Sequence, residues 1–547
     1  MKKKIVIVLA AVILFSGFMR KDSDIYFEIN KSIDIFGKVY REVTLNYVEP
    51  LNPEEFMLAG IDGMLESLDP YTNFIDQNNQ KDIDIITKGK YGGIGATVGL
   101  RNESITIVDL IEGYSAQRQG LRIGDVIVKI NGTRVTKENY DELNELLKGD
   151  PGTTVTIVIQ REGESDEIKF NLIREEIEIK NLTYYGFYPE ESNSAFLKLS
   201  GFSRTAGEEV KKALLELKSQ KEINSIILDL RGNPGGLMDA AMDVCEKFLK
   251  KGELIVSVKG RDSLSTKKYY SYEEPIAGTT KLAVLIDEGS ASASEIVAGA
   301  MQDHDRAVII GTNSFGKGLV QTLIPLSYNT SLKITTAKYY TPSGRSIQKV
   351  DYSEKNKVFQ YNLSLKQDEF TTDNKRKVLS AGGIKPDSTV LNRSKSSLVQ
   401  RLLADGMFFK FATHLYNGNV KADFKNYDIN KLVKEFKEYL KTENFRFISP
   451  AEKLIGQLKT AAKEENFDQK FIDQLEKSGE QIDESHSKEI EKYKEDIIAS
   501  VKEELTARTD GRQGRIIESL KYDQQFKTAL SILNKQEIYN SLLSVLN

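Results

Sequence analysis

The chain has 547 residues, 40% of them hydrophobic, and carries 76 basic against 80 acidic residues for a net charge of -4. That length corresponds to roughly three to four domains, and the composition supports several buried cores. Mixed charge without a concentrated basic patch disfavours nucleic acid as a partner, and the single cysteine, Cys245, excludes an intramolecular disulfide and a cysteine-based zinc site.

The chain opens on Lys2-Lys3-Lys4 and an apolar run from Ile5 to Phe18, broken only by Ser16 and Gly17. A run of about 14 residues is short for a bilayer span, which needs about 20, so residues 1–20 read as an export signal. The protein is therefore expected in the periplasm or another extracytoplasmic space. No small-x-small cleavage pattern follows, which leaves an uncleaved membrane anchor as the alternative.

Residues 21–86 read as helical packing elements. Phe36, Val39, Tyr40, Val43 and Tyr47 recur at helical spacing, Pro53 opens a second helix, and Leu68-Asp69-Pro70-Tyr71-Thr72 closes it. Residues 87–176 change period. Glycines at Gly92, Gly93 and Gly95 precede an apolar strand, and β-runs follow at Ile105 to Leu110, Val126 to Ile130, Val155 to Gln160 and Ile168 to Ile173. The turn Tyr91-Gly92-Gly93-Ile94-Gly95, the short helix from Ser115 to Leu121 and the Gly124-Asp125 turn together resemble a PDZ domain of the kind found in bacterial proteases. In such a domain the N–H groups of Gly93, Ile94 and Gly95 would capture a peptide carboxylate while the next strand edge pairs with the peptide.

Residues 177–394 alternate strand and helix, with strands expected at Ile226 to Leu230, Leu254 to Val258, Leu282 to Asp287 and Ala307 to Ile310, and helices at Leu237 to Leu249 and Ser294 to Met301. This is an α/β core, and Cys245 reads as a buried helical residue within it. Residues 395–547 are charged and amphipathic, the pattern of a C-terminal helical domain whose charge runs are solvated faces.

Three elements of the core carry chemistry. Asp229 to Gly236 (Asp-Leu-Arg-Gly-Asn-Pro-Gly-Gly) runs from a strand through a glycine turn into a helix, where exposed N–H groups suit an oxyanion. Gly289 to Glu295 clusters Ser290, Ser292 and Ser294 at the start of a helix, and any of the three is a candidate nucleophile. Phe315 to Gln321 places Lys317 between two glycines, where backbone can approach closely and desolvate the amine. Serine needs a proton acceptor, and a desolvated lysine, its pKa lowered towards about 7 to 8, can serve. Histidine is in short supply: His304, His414 and His486 are the whole complement, none in a glycine-rich or small-residue setting.

Taken with Leu68 to Thr72, Tyr339 to Gln348 and Gly383 to Asp387, these motifs resemble the C-terminal processing peptidases, tail-specific serine endopeptidases with a PDZ domain and a Ser-Lys dyad. The resemblance covers about residues 25 to 390. It implies a multidomain α/β fold: a ClpP/crotonase-like protease core, an inserted β-rich PDZ domain and an α-helical C-terminal domain. It selects Ser292 as nucleophile, Lys317 as general base and Gln321 as the residue assisting the lysine. Gly236 and Ala293 become the oxyanion donors, with Gly235 as the near alternative. Asp229, Arg231 and Glu295 read as structural ion pairs or caps, and Tyr71, Thr72 and Tyr339 to Gln348 are expected to shape the cleft. Substrates would be proteins with exposed C-termini, and neither metal nor cofactor is required. Beyond about residue 395 the resemblance is silent, leaving self-association, an adaptor partner or packing on the core for the helical domain.

Two other readings fit parts of the chain. Ser314-Phe315-Gly316-Lys317, Ser327-Tyr328-Asn329 and Lys477-Ser478-Gly479 formally match the motifs of penicillin-recognising acyl transferases. The glycines around Lys317 oppose the helix that S-x-x-K needs, however, and Lys477 lies in a helical stretch where a strand is required. A catalytically silent PDZ scaffold is the alternative outside enzymology; it would have no need of Ser292, Lys317 and Gln321 together.

Overall fold

The computed structural model describes residues 25–77, 89–101, 104–261, 266–352, 366–391, 395–418, 424, 427–487 and 489–544. The expected export signal at residues 1–20 lies outside them, and no described helix is long and apolar enough to cross a membrane. The chain divides into two compact units. The smaller takes in residues up to Gln80 with Gln321–Thr336 and Tyr352–Tyr361; the larger holds the remainder.

In the smaller unit, a helix over residues 25–46 is followed by the helix Pro53–Glu66. Asn52 caps the latter, its Oδ1 accepting the Glu54 N–H at 3.0 Å, with Pro53 supplying a preset φ in the first turn. Tyr40 stacks on Phe56 at 5.7 Å, yet Ile29, Ile33, Phe36 and Val39 stay exposed, so the apolar stripe that predicts packing is only partly covered. Asp69 is a clasp. Its Oδ1 accepts the N–H groups of Tyr71 and Thr72 and the Thr335 hydroxyl, while Thr72 Oγ1 accepts the Thr335 N–H. Asn73–Ile75 then pairs antiparallel with Ser331–Lys333.

The larger unit has three bodies. In the β-rich one, strands Ala96–Arg101, Ser104–Leu110, Val126–Ile130, Thr154–Gln160 and Ile168–Ile173 lie in that order across one sheet. Alternating Val155, Ile157 and Ile159 point inward with Ile105, Ile107, Ile127 and Leu172. Ala96–Arg101 is an edge strand, preceded by Gly93, Ile94 and Gly95.

The second body is a six-stranded sheet ordered Leu182–Phe187, Ser194–Leu199, Ser225–Asp229, Lys281–Ile286, Val308–Gly311 and Ser388–Thr389, parallel except at its first pair. Its strands are apolar on both faces, as a sheet covered on both sides requires. Leu197, Leu228, Val284 and Ile309 face the helices Ala206–Gln220, Met238–Glu246 and Ala293–Asp303, and Cys245 is buried among them. Phe196, Ile227, Ala283, Leu285, Val308 and Ile310 face the other way and are covered by Leu520, Phe526, Ala529, Leu533 and Tyr539.

Those last residues come from the end of the chain, so the C-terminal helices serve as the missing layer of the α/β core. Before reaching it, Ser397–Ala404, Met407–Gly418, Ile429–Thr442 and Lys494–Thr509 form their own core around Phe408, Phe411, Phe436 and Val501. Packing on the core is thus what the structure assigns to the final helices of a domain for which sequence leaves three roles open.

Phe526 is 2% exposed and packs edge-on against Tyr188 and Phe196 at 5.4 and 5.5 Å. Truncating it opens a cavity under the sheet, so Phe526→Ala should cost about 3–5 kcal/mol. Phe467→Ala, at a side chain 49% exposed, should cost well under about 1 kcal/mol. Urea unfolding of both variants checks the contrast.

Candidate active site

Parallel strands place their following loops at one edge of the sheet, and Asp229 is in register with Leu285 on the neighbouring strand. The glycine turn and the serine loop are therefore adjacent. Asp287 ties them, its Oδ1 accepting N–H groups from Gly232 at 2.8 Å and Gly289 at 3.0 Å. Asn233 ties them again. It is fully buried; its carbonyl accepts the Ala291 N–H at 3.0 Å and the Ser294 hydroxyl at 2.9 Å, while its side chain donates to Leu199 O and accepts the Gly235 N–H. Upstream, burial alone would raise the Asp229 carboxyl, but Arg231 and Lys198 hold it at about 2. Arg231 also pairs with Asp523 at 2.6 Å and donates to Gln525 at 2.8 Å, fastening this strand end to the C-terminal helices.

The three serines separate in this framework. Ser290 is buried and its hydroxyl donates to Leu230 O at 2.9 Å; Ser294 is buried and donates to Asn233 O. Ser292 is half-buried, with φ 53° and ψ -109°, a conformation that L-residues seldom adopt. It sits at the turn from the strand Lys281–Ile286 into the helix Ala293–Asp303. This sharp turn presents a side chain at the helix N-terminus, where the dipole favours negative charge.

Gly235 packs against that turn so tightly that a Cβ there would lie 3.0 Å from Ala293 N and 3.0 Å from Ser292 Cβ. Its φ of 102° and the 149° of Gly236 require glycine. The Gly235 N–H is committed to Asn233 Oδ1 at 2.9 Å. Gly236 is exposed, and Ala293, as the first residue of its helix, has an N–H without an intrahelical acceptor.

Lys317 is half-buried on the segment leading into the strand Leu319–Pro325. Gly316, at φ 90°, allows the close approach of Lys349, and its carbonyl accepts the Lys349 N–H at 2.9 Å. Gly318 donates to Gln348 Oε1 at 2.7 Å. Glu295 and Tyr339 span the two segments. Glu295 Oε2 accepts the N–H of Ser292 at 2.8 Å and of Lys317 at 3.0 Å, while Oε1 accepts the Ser314 hydroxyl at 2.6 Å and the Gly316 N–H at 2.7 Å. The Tyr339 hydroxyl lies 2.6 Å from Lys317 O and 3.1 Å from Ser292 O. Burial pushes the Glu295 carboxyl up to about 7, against the pull of those hydrogen bonds.

Gln321 belongs to the smaller unit, where its amide donates to Thr335 Oγ1 at 3.2 Å. In the β-rich body Gly93 ends a strand paired with Glu175, Ile94 is buried, and the carbonyls of Ile94 and Gly95 accept N–H groups from Ala116 and Ile111. A Cβ on Gly95, whose φ is 78°, would strike Tyr114 at 2.3 Å. His304 bonds Asp373 and Leu254 O, and His414 bonds Glu162; both partnerships lie outside the serine loop. Sequence reasoning missed Asn233 and Asp287 and read Glu295 as a structural ion pair or cap. A polar residue inside each loop was the available signal, but nothing local indicates what it bonds.

Matches to known proteins agree with this architecture. Residues 193–355 match the model of peptidase family S41, residues 106–161 a PDZ domain, and residues 398–533 a domain described as "Probable PDZ-protease, C-terminal helical domain". The chain is 39% identical over 321 residues to a carboxy-terminal-processing protease of Bartonella bacilliformis, covering 58% of this chain and 73% of that protein. It is 32% identical over 327 residues to the carboxy-terminal processing protease CtpB of Bacillus subtilis, covering 59% and 67%. A solved structure of the photosystem II D1 C-terminal processing protease is 26% identical, covers 64% of this chain and 85% of that one, and aligns with a TM-score of 0.35.

The raised carboxyl of Glu295 has a consequence for stability. Its ordinary value is 4.5 and its folded value about 7, so between those pH values the folded state binds the extra proton and stability falls as pH rises. Glu295→Gln should flatten that limb of the curve, as measured by urea midpoints from pH 4.5 to 7.5.

Proposed function

The chain belongs to the carboxy-terminal processing proteases of peptidase family S41, serine-type enzymes, and from that premise we propose that it cleaves protein substrates through an acyl-enzyme on Ser292 with Lys317 as general base. The observation that carries this reading is the backbone of Ser292. Among the three serines it alone stands in the left-handed region, beside Gly235, while the hydroxyls of Ser290 and Ser294 are committed to buried carbonyls.

The neutral Lys317 amine takes the Ser292 hydroxyl proton as the oxygen attacks the scissile carbonyl. The tetrahedral oxyanion is held by the N–H groups of Gly236 and Ala293, preorganised donors aimed where charge develops. Collapse breaks the C–N bond, the Lys317 ammonium gives its proton to the leaving amine, and an ester remains on Ser292. Water, deprotonated by Lys317, then releases the acid and regenerates the serine. Gln321 is assigned the role that the family gives the glutamine assisting the lysine.

Substrate selection falls to the PDZ domain. An extended C-terminal tail would add to the free edge of Ala96–Arg101, its carboxylate against the Gly93-Ile94-Gly95 turn. Tyr140 donates to Val98 O on that strand at 3.3 Å, so a tail pairing there would compete with the tyrosine. We assign the enzyme to an extracytoplasmic space on the strength of the N-terminal lysines and apolar run.

Ser292→Ala should lower hydrolysis of a tailed protein by about four to six orders of magnitude while tail binding persists, and Lys317→Ala should fall in the same range. Single-turnover cleavage assays paired with calorimetric titration of a tail peptide measure both. Parental cleavage by Ser292→Ala would sink the assignment.

A further inference from the structure

Glu295 does more than a helix cap requires. Reaching back to the N–H of Ser292 is one half of a capping box, and that half needs only one acceptor. The same carboxylate also takes the N–H groups of Gly316 and Lys317 and the hydroxyl of Ser314, about twenty residues further along the chain. It is fully buried, and among the described residues no salt bridge pairs it. A buried carboxylate without a counter-ion is costly unless its lone pairs are satisfied, and here the donors that satisfy it come from the nucleophile's loop and the base's loop alike.

Tyr339 repeats the connection through the carbonyls of the same two residues. It is 1% exposed, and its hydroxyl reaches the carbonyls of both Ser292 and Lys317. Its own position is set by the strand Ser331–Tyr340: Tyr339 is in register with Val258, and its N–H donates to Gly318 O at 3.0 Å.

We propose that Glu295 and Tyr339 are positioning residues that lock Ser292 and Lys317 in one register, the carboxylate gripping the two amides and the phenol sharing its one proton between the two carbonyls, the nearer being Lys317 O. The proposal rests on the Ser292–Lys317 reading above. Two loops, each on its own strand, need a common reference if a hydroxyl and an amine are to stay within proton-transfer distance, and a misplacement of about 1 Å costs about 100-fold in rate. Both act through the backbone of Ser292 and Lys317.

Tyr339→Phe, which removes one oxygen, and Glu295→Gln, which disturbs at least one of four accepted bonds, are compared with Ser292→Ala and Lys317→Ala. The readouts are kcat and KM on a tailed protein, the rate of Ser292 phosphonylation by a fluorophosphonate, tail-peptide affinity and unfolding midpoint. For Tyr339→Phe, kcat and phosphonylation should fall about 10- to 100-fold with KM and tail affinity unchanged. The double variant should lose less than the product of the two single losses, because both grip the same pair of residues. Activity within twofold of the parent in Tyr339→Phe, or a loss that merely tracks the folded fraction, overturns the proposal while leaving the dyad intact. If Glu295→Gln does not fold, Tyr339→Phe decides. Parental hydrolysis by Ser292→Ala or Lys317→Ala would instead remove the dyad, and the proposal with it.

Discussion

Ser292 stands in a backbone conformation that costs about 1–3 kcal/mol for a residue with a side chain, and the α/β core is built to hold it there. The strand Lys281–Ile286 delivers the chain to the sheet edge, and the wholly buried helix Ala293–Asp303 carries it away. Between them Asp287, Asn233 and Glu295 accept the N–H groups that so sharp a turn leaves without partners. Each acceptor also engages a second loop, so the strain at one residue is supported by a network rather than by a single contact.

The same constraint explains the glycines. Gly235 and Gly236 need positive φ, and a Cβ on either would strike backbone, at Ala291 O in the first case and Phe202 O in the second. With Gly235 tied to Asn233, the turn is pinned at one amide and open at the next, the arrangement an oxyanion donor requires. The strand feeding this turn is anchored from below by Arg231, which bridges Asp229 and Asp523. A residue near the end of the chain thereby reaches the base of the candidate site. The C-terminal helices contribute in two ways, as an apolar layer under the sheet and as a polar fastening at its edge.

The β-rich body follows a simpler logic. Its sheet closes an isoleucine- and leucine-rich core on one side and leaves Ala96–Arg101 as a free edge. A free edge is ordinarily a liability; here Tyr140 donates to Val98 O on it, and the carbonyls of the adjoining glycine turn are already bonded. The smaller unit relies instead on one carboxylate, Asp69, to close the Leu68 to Thr72 turn and fix Thr335.

Much of this was legible in the residues alone. Period-2 runs marked Val126–Ile130 and Ile168–Ile173 at their observed bounds, and the serine cluster, the lysine between glycines and the glycine turn stood out because each breaks the periodicity around it. Local pattern carries that information, since pleat and helical turn are set by near neighbours. Three serines in the same small-residue context could not be ranked by local physics, because what separates them is the distant carbonyls that take up Ser290 and Ser294. Glu295 likewise read as a structural ion pair or cap, for its second set of partners arrives from a segment about twenty residues away. For the C-terminal helices, packing on the core was one of three open roles, because an amphipathic face declares that it will be buried but not against what. Sequence by itself determined the elements and the chemistry available at their ends; tertiary structure decided which groups keep that chemistry, since hydrogen bonds between remote loops leave no local trace.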